Sequence, residues 1–266
     1  MKVFQVDAFT NEPFKGNPAG VCLLENPKTD SWMQSFAKDM NLSETAFLLK
    51  DQSVFHLRWF SPKTEDPLCG HATIASAHVL WEEKILRRDE EAIFNTKSGL
   101  LKAKHSRNSW IEMDFPARVV EPVEEQRILN EALKISPNFA GRFTTPNGNL
   151  YLFEIQNENL VKNLNPDFEL IKKTDAIDII VTSISDSKEY DFVSRFFAPG
   201  VGIKEDPVTG SAHCSLAPYW GRKLNKNELI GFQMSERTGI VGCVWLNDRV
   251  TLKGKAITIF RGELLV

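Results

Sequence analysis

Glu65-Asp-Pro-Leu-Cys-Gly-His-Ala72 and Glu205-Asp-Pro-Val-Thr-Gly-Ser-Ala212 are nearly the same stretch written twice, 140 residues apart. Upstream, Arg58-Trp-Phe-Ser-Pro62 matches Arg195-Phe-Phe-Ala-Pro199 at a separation of 137, and downstream Ser98-Gly-Leu-Leu101 matches Thr238-Gly-Ile-Val241 at 140. One long-period duplication in 266 residues reads as two similar halves, with a ligand expected in the cleft between them. In each copy a glycine opens an apolar stretch long enough for a buried helix, Ala72–Trp81 in the first and Ala212–Trp220 in the second. A helix start offers unpaired N–H groups and partial positive charge, and glycine lets a ligand approach the backbone. Gly70-His71-Ala72 and Gly210-Ser211-Ala212 therefore read as two anion cradles suited to a carboxylate. The plainer alternative is that Asp66 and Asp206 cap two ordinary helices. No Gly-Lys-Ser/Thr follows either glycine, so neither stretch is a nucleotide-binding P-loop.

Composition narrows the function classes. The chain is 42% apolar and 25% charged with a net charge of -3, an ordinary globular balance without the basic excess of a nucleic-acid binder. No run approaches 18 apolar residues, so no membrane span is expected. Met1–Phe9 alternates like a strand and has no apolar signal-peptide core, which leads to an expected cytoplasmic location with reduced thiols. Cys22, Cys69, Cys214 and Cys243 form no CxxC pair, which argues against a zinc knuckle, and no metal ligand set is expected. Cys22, Cys214 and Cys243 read as small buried apolar residues.

Periodicity supplies the elements. Strands are expected at 2–9, 21–24, 43–49 and 56–60, with Gly16–Gly20 as a turn. A helix follows Asp30, its expected N-cap, because Trp32, Met33, Phe36, Ala37 and Met40 recur at helical spacing. Strands over 94–104 and 110–115 close the first half, and the two prolines of 116–122 place a boundary there, giving halves of 1–117 and 118–266. In the second half, strands are expected at 150–155, 177–183 and 191–197 and a helix at 167–174, with closing strands to Val266. Mixed strands with one long helix per half make the fold class α+β.

Where the copies differ, chemistry shows. Cys69 stands opposite Thr209 and His71 opposite Ser211, so one half offers a thiol and an imidazole, the other two hydroxyls with Asp206 upstream. Histidine moves protons near neutrality. Glu44, in Asn41-Leu-Ser-Glu-Thr-Ala-Phe47, opens an apolar strand and is expected to be partly desolvated, a setting in which a carboxyl becomes a usable acid or base. The corresponding strand of the second half has no such glutamate.

Val6-Asp-Ala-Phe-Thr10, Phe14-Lys-Gly-Asn-Pro-Ala-Gly20, Asn41-Leu-Ser-Glu-Thr-Ala-Phe47, Cys69-Gly-His-Ala72 and Glu205-Asp-Pro-Val-Thr-Gly-Ser-Ala212 together resemble the PhzF family of phenazine-biosynthesis-like isomerases. The resemblance runs over essentially the whole chain. It implies the diaminopimelate-epimerase-like fold: two pseudo-symmetric halves, each a curved, mostly antiparallel sheet wrapped around a central helix, with the active site between them. The phenazine member isomerises a dihydro-hydroxyanthranilate without a cofactor by moving a proton across the ring. On this resemblance the proton carrier is Glu44, with His71, Asp206 and Ser211 as its catalytic companions. Ser43, Gly70, Ala72, Thr209, Gly210 and Ala212 are expected to bind the small carboxylated substrate. A homodimer with no cofactor is also implied. Racemases of the same fold use two cysteines, one per half. Thr209 in the second position disfavours that chemistry, while a single-thiol dehydratase of the hydroxyproline type stays open.

Overall fold

The alternation at the start of the chain becomes β1 (Lys2–Ala8) in the computed structural model, which describes residues 1–145 and 148–265. It is followed by β2 (Asn17–Leu24), α1 (Asp30–Met40), β3 (Glu44–Asp51), β4 (Val54–Phe60), β5 (Glu65–Asp66), α2 (Gly70–Glu82), β6 (Ala92–Thr96), β7 (Gly99–His105) and β8 (Ile111–Pro116). Then come β9 (Glu121–Pro122), α3 (Arg127–Leu133), β10 (Phe139–Thr145), β11 (Gly148–Glu154), α4 (Glu158–Lys162), α5 (Phe168–Ile171), β12 (Ala176–Ile184) and β13 (Phe192–Phe197). The chain ends with α6 (Gly210–Leu224), β14 (Glu228–Gln233), β15 (Gly239–Leu246), β16 (Arg249–Gly254) and β17 (Ala256–Glu263). Met1–Asp114 with the segment from Lys253 onward forms one unit, and Phe115–Leu252 forms a second. A cut at 117/118 leaves the terminal strand with the second half, but β17 pairs antiparallel with β1 from Lys2↔Glu263 to Ala8↔Ala256. Such closure of the two chain ends is long-range and leaves no local sequence signal.

The duplication is visible in the ladders. In the first unit β1–β2 is antiparallel, β2–β3 parallel, β3–β4 antiparallel, β4–β6 parallel and β6–β7 antiparallel. The second unit repeats the series from β10 to β15 in the same order. The repeated Arg and Glu form the same fork in each: Arg58 Nε donates to Glu65 Oε1 at 2.8 Å, and Arg195 Nε donates to Glu205 Oε1 at 2.7 Å. Both guanidinium groups also lie over a phenylalanine ring two residues on, Arg58 5.1 Å from the Phe60 centroid and Arg195 5.0 Å from that of Phe197. A bidentate, half-buried pair of this kind fixes orientation as well as adding energy. It sets the loop that leads into each long helix.

Those helices are the cores of their units. From His71 to Trp81 only His78 of α2 is not buried, which suits a helix made of Ala, Ile, Val and Leu with packing on every side. Its buried hydroxyls are satisfied locally: Thr73 Oγ1 donates to Cys69 O at 2.5 Å and Ser76 Oγ to Ala72 O at 2.7 Å. In α6, Pro218 cannot donate to Cys214 O, four residues back. Arg118 N takes that carbonyl instead, at 2.9 Å. Trp220 stacks on Phe192 at 6.0 Å, and its Nε1 donates to Thr182 Oγ1 at 3.0 Å.

Several local expectations shift. Of the expected turn 16–20 only Gly16 lies in the β1–β2 connection, as its last residue, and the strand begins at Asn17. The Asn-Pro-Ala-Gly run reads as turn chemistry, yet Gly20 is needed because a Cβ there would lie 2.9 Å from Thr45 Oγ1. The cap of α1 is Thr29, which accepts from Trp32 N at 3.3 Å, and Asp30 is the first helical residue. The stretch 94–104 is a hairpin of two strands, and the helix expected at 167–174 shortens to α5, capped by Asp167. The closing strands end at Glu263, and Val266 lies outside the described residues. No disulfide joins the four cysteines, and all four are buried. No helix among the described residues is long and apolar enough to cross a membrane.

One buried charge in the second unit carries a stability prediction. Burial pushes the Asp178 carboxyl up to about 6 against the opposing pull of Arg118. A folded-state value above the unfolded one means the native chain holds the proton more tightly, so stability is depressed above pH 6 and recovers as the pH falls towards 4. Asp178→Asn is expected to stabilise the fold by about 2–3 kcal/mol at pH 8 and by little at pH 4. Urea titrations at the two pH values check this, and an equal gain at both would refute the cause.

Candidate functional site

Glu44 is the first residue of β3, where register with Ala19 of β2 places it beside the strand that α2 packs against. His71 is the second residue of α2 and is 7% exposed. Its Nε2 lies 3.0 Å from Glu44 Oε2. Cys69 Sγ lies 3.5 Å from His71 Nδ1. The fold thus joins three residues that the sequence separates by up to 27 positions. Ser43, Gly70 and Ala72 flank this group on the same two elements; Ser43 is half-buried and Ala72 buried.

Electrostatics sorts these groups. Burial works against a charged His71, but a Cys69 thiolate and the Glu44 carboxylate both raise it, and near neutrality, with the thiol protonated, the Glu44 carboxylate is the charge that acts. Burial pushes the Cys69 thiol up to about 11, with the Glu44 charge adding and His71 opposing, so the sulfur stays protonated near neutrality. Asp66, which sequence reasoning treats only as a possible cap, belongs to the same field. Burial first, then the Glu44 charge, pushes its carboxyl up to about 6.

Neither aspartate of the repeat is a helix cap. The N-cap positions are Cys69 and Thr209, and neither side chain caps its helix. Asp206 instead accepts a short hydrogen bond from Thr209 Oγ1. A residue that sequence reasoning missed ties this loop together: Gln233 accepts from Thr209 N at 2.9 Å and donates to Asp206 O at 2.8 Å. A glutamine ending the apolar strand Glu-Leu-Ile-Gly-Phe-Gln was the available signal. Thr209 and Gly210 are buried, Ala212 is buried, and Ser211 is exposed at the helix start. Behind them His213 is fully buried and donates from Nδ1 to Thr209 O at 2.9 Å; burial pushes its pKa down to about 4, so it is neutral and structural.

Gly70 tests the cradle. A Cβ built at Gly70 meets nothing within 4 Å, so packing does not require glycine there. Gly70→Ala is expected to leave stability unchanged or raise it by about 0.5–1 kcal/mol. The same change is expected to lower kcat/KM about tenfold or more by displacing a bound anion. Denaturation and kinetics on one preparation separate the two effects, and unchanged kinetics would remove Gly70 from the site.

Comparison with known proteins identifies the family and the fold. Residues 6–262 match the family described as phenazine biosynthesis-like protein, PhzC-PhzF. An uncharacterized isomerase of Halalkalibacterium halodurans is 52% identical, over 99% of this chain and 98% of its own. The crystal structure of a PhzF-family phenazine biosynthesis protein from Enterococcus faecalis superposes with a TM-score of 0.93 at 38% identity, covering 100% of this chain and 99% of that one. A probable proline racemase from Agrobacterium radiobacter shares the fold alone, with a TM-score of 0.66 at 10% identity over 100% of this chain and 93% of that one.

Proposed function

The chain belongs to the phenazine biosynthesis-like PhzC-PhzF family, and from that premise we propose a cofactor-independent isomerase in which one carboxylate, Glu44, moves a proton within a small carboxylated substrate. Isomerase activity is the common description of its relatives; the single-carboxylate mechanism is our reading. The observation that carries it is the 3.0 Å contact of Glu44 with a buried, positively disposed His71 at an uncapped helix start.

The atoms balance as follows. The Glu44 carboxylate removes a proton from a carbon conjugated to the substrate's unsaturated system, and the electron pair delocalises. The carboxyl then delivers a proton, exchanged with solvent while Glu44 holds it, to a different carbon, and the double bond moves. Nothing is oxidised or reduced, so the step needs no redox cofactor. His71 positions the carboxylate and offsets its charge. The N–H groups at Gly70 and Ala72 bind the substrate anion, with Ser43 beside Glu44. Within the second unit, Asp206 and Ser211 are the further catalytic residues of this reading, and Thr209, Gly210 and Ala212 its further binding residues. A homodimer in the cytoplasm is the setting we assign to this activity.

A second reading, a single-thiol dehydratase, draws on the 3.5 Å approach of Cys69 to His71. The raised thiol pKa works against it. Incubation in D2O with a panel of small cyclic and unsaturated carboxylic acids distinguishes them by product mass. An isomerase gives a product of unchanged composition carrying solvent deuterium. A dehydratase gives a product lighter by one water, and that result would displace the proposed mechanism. Cys69→Ala is expected to slow isomerisation far less than loss of Glu44.

A further inference from the structure

We propose that Glu44, Cys69 and His71 form a binding site for one thiophilic divalent cation of the Zn2+ class, whose occupancy takes Glu44 out of catalysis. The effect on activity rests on the function proposed above, whereas the binding itself does not.

The three donors come from two elements of one unit, and one atom from each lies within 4.8 Å of the others. The separations suit a small tetrahedral ion. Zinc bonds of about 2.0–2.3 Å at tetrahedral angles place ligand atoms about 3.4–3.6 Å apart. Here Glu44 Oε2 and His71 Nε2 are 3.0 Å apart, and His71 Nε2 and Cys69 Sγ are 4.0 Å apart. Cys69 Sγ now stands nearer Nδ1, at 3.5 Å, so binding requires a rotation of the Cys69 or His71 side chain that carries the sulfur to the Nε2 side. One carboxylate oxygen, one imidazole nitrogen and one sulfur is the mixed donor set that selects zinc-like ions over magnesium or calcium. Three protein ligands also leave a fourth position for water or a substrate carboxylate.

Charge closes the set as well. On binding, the Cys69 thiol and a protonated His71 each release a proton to solvent. Thiolate and carboxylate then neutralise the dication. Asp66 adds a further negative influence: its buried Oδ2 has no hydrogen-bond partner among the described residues, and it is electrostatically coupled to Glu44 and His71. This offsets the positive end of α2, which on its own disfavours a cation. Cys22, Cys214 and Cys243 are not part of any such cluster among the described residues.

Co2+ is the probe, because a thiolate ligand gives it an intense near-ultraviolet charge-transfer band. Titration of the full chain is expected to give that band at one equivalent and Zn2+ to bleach it by displacement. Cys69→Ala should abolish the band, and Glu44→Gln and His71→Ala should each weaken Co2+ binding at least about tenfold. No band with wild type at millimolar Co2+ overturns the proposal, as does a band that survives Cys69→Ala. Should a variant fail to fold, X-ray absorption of the Zn2+-loaded wild type decides: one sulfur at about 2.3 Å with nitrogen and oxygen completing the shell supports the site, and an all-nitrogen-and-oxygen shell refutes it. Zn2+ that binds with this shell yet leaves isomerisation unchanged would overturn the inhibitory consequence, and the failure would then lie with the role given to Glu44.

Discussion

Glu44→Gln is expected to reduce solvent-proton exchange into substrate by 10²–10⁴-fold, the range that a positioned acid–base group contributes, with the fold intact. The substitution keeps the side chain's length and planarity. An amide keeps a polar oxygen in place of the carboxylate oxygen that lies 3.0 Å from His71 Nε2, so the half-buried position stays filled. What the amide cannot do is take a proton and return it. Measured by NMR in D2O, the loss should fall in kcat rather than KM, because Glu44 acts on the reacting carbon and not on the substrate's anion. The wild-type pH profile is a further check. His71 is held well above its ordinary value, so no inflection near pH 6.5 is expected from it. Exchange that persists within threefold in Glu44→Gln would remove Glu44 as the proton carrier. Asp66, pushed up to about 6 in the same field, would then become the carboxyl to examine.

How much of this was legible depends on whether the signal is local or long-range. The two long helices were legible because each is an apolar run opened by glycine, and the duplication because Arg58, Glu65, Arg195 and Glu205 recur in order. That each Arg forks onto its own Glu is the physical reason the repeat retains both residues. Glu44 could be singled out because a carboxylate opening an apolar strand is costly unless partnered. Its partner could not be derived from spacing, since His71 lies 27 positions further on, beyond β4, a turn and the two-residue β5. The plainer alternative, that the aspartates cap the two helices, fails for a related reason. Asp-Pro before a helix is a local capping signal, but the loop turns so that Cys69 and Thr209 occupy the cap positions. The β17–β1 pairing left no local trace and Gln233 left only a glutamine ending an apolar strand, because both contacts are made by residues far apart in sequence.

Gly16→Ala is expected to destabilise the fold by at least about 4 kcal/mol, the range reserved for a buried steric conflict that the structure cannot relax. Gly16 has φ +68°, in the left-handed region, where an added Cβ costs roughly 1–2 kcal/mol by itself. The larger part is contact: a Cβ at Gly16 would lie 2.1 Å from the backbone oxygen of Ala8 and 2.7 Å from Thr10 Cγ2. Ala8 stands in register with Asn17 on one side and Ala256 on the other, so its backbone cannot retreat without disturbing the two strand pairings. The neighbouring Phe9 is fully buried and also packs where a Cβ of Gly254 would go, so movement there disturbs the core. Gly99→Ala supplies the control. It too has positive φ, at +93°, but nothing lies within 4 Å of its would-be Cβ, and it should cost only about 1 kcal/mol. Thermal and urea unfolding of the two variants separates strain from collision. If both lose the same amount, the left-handed backbone is the whole cost and the turn at Gly16 tolerates a side chain. If Gly16→Ala alone collapses, the Gly-Asn-Pro-Ala-Gly run is there to bring the β1–β2 turn against the backbone of β1, a structural demand and not a substrate contact.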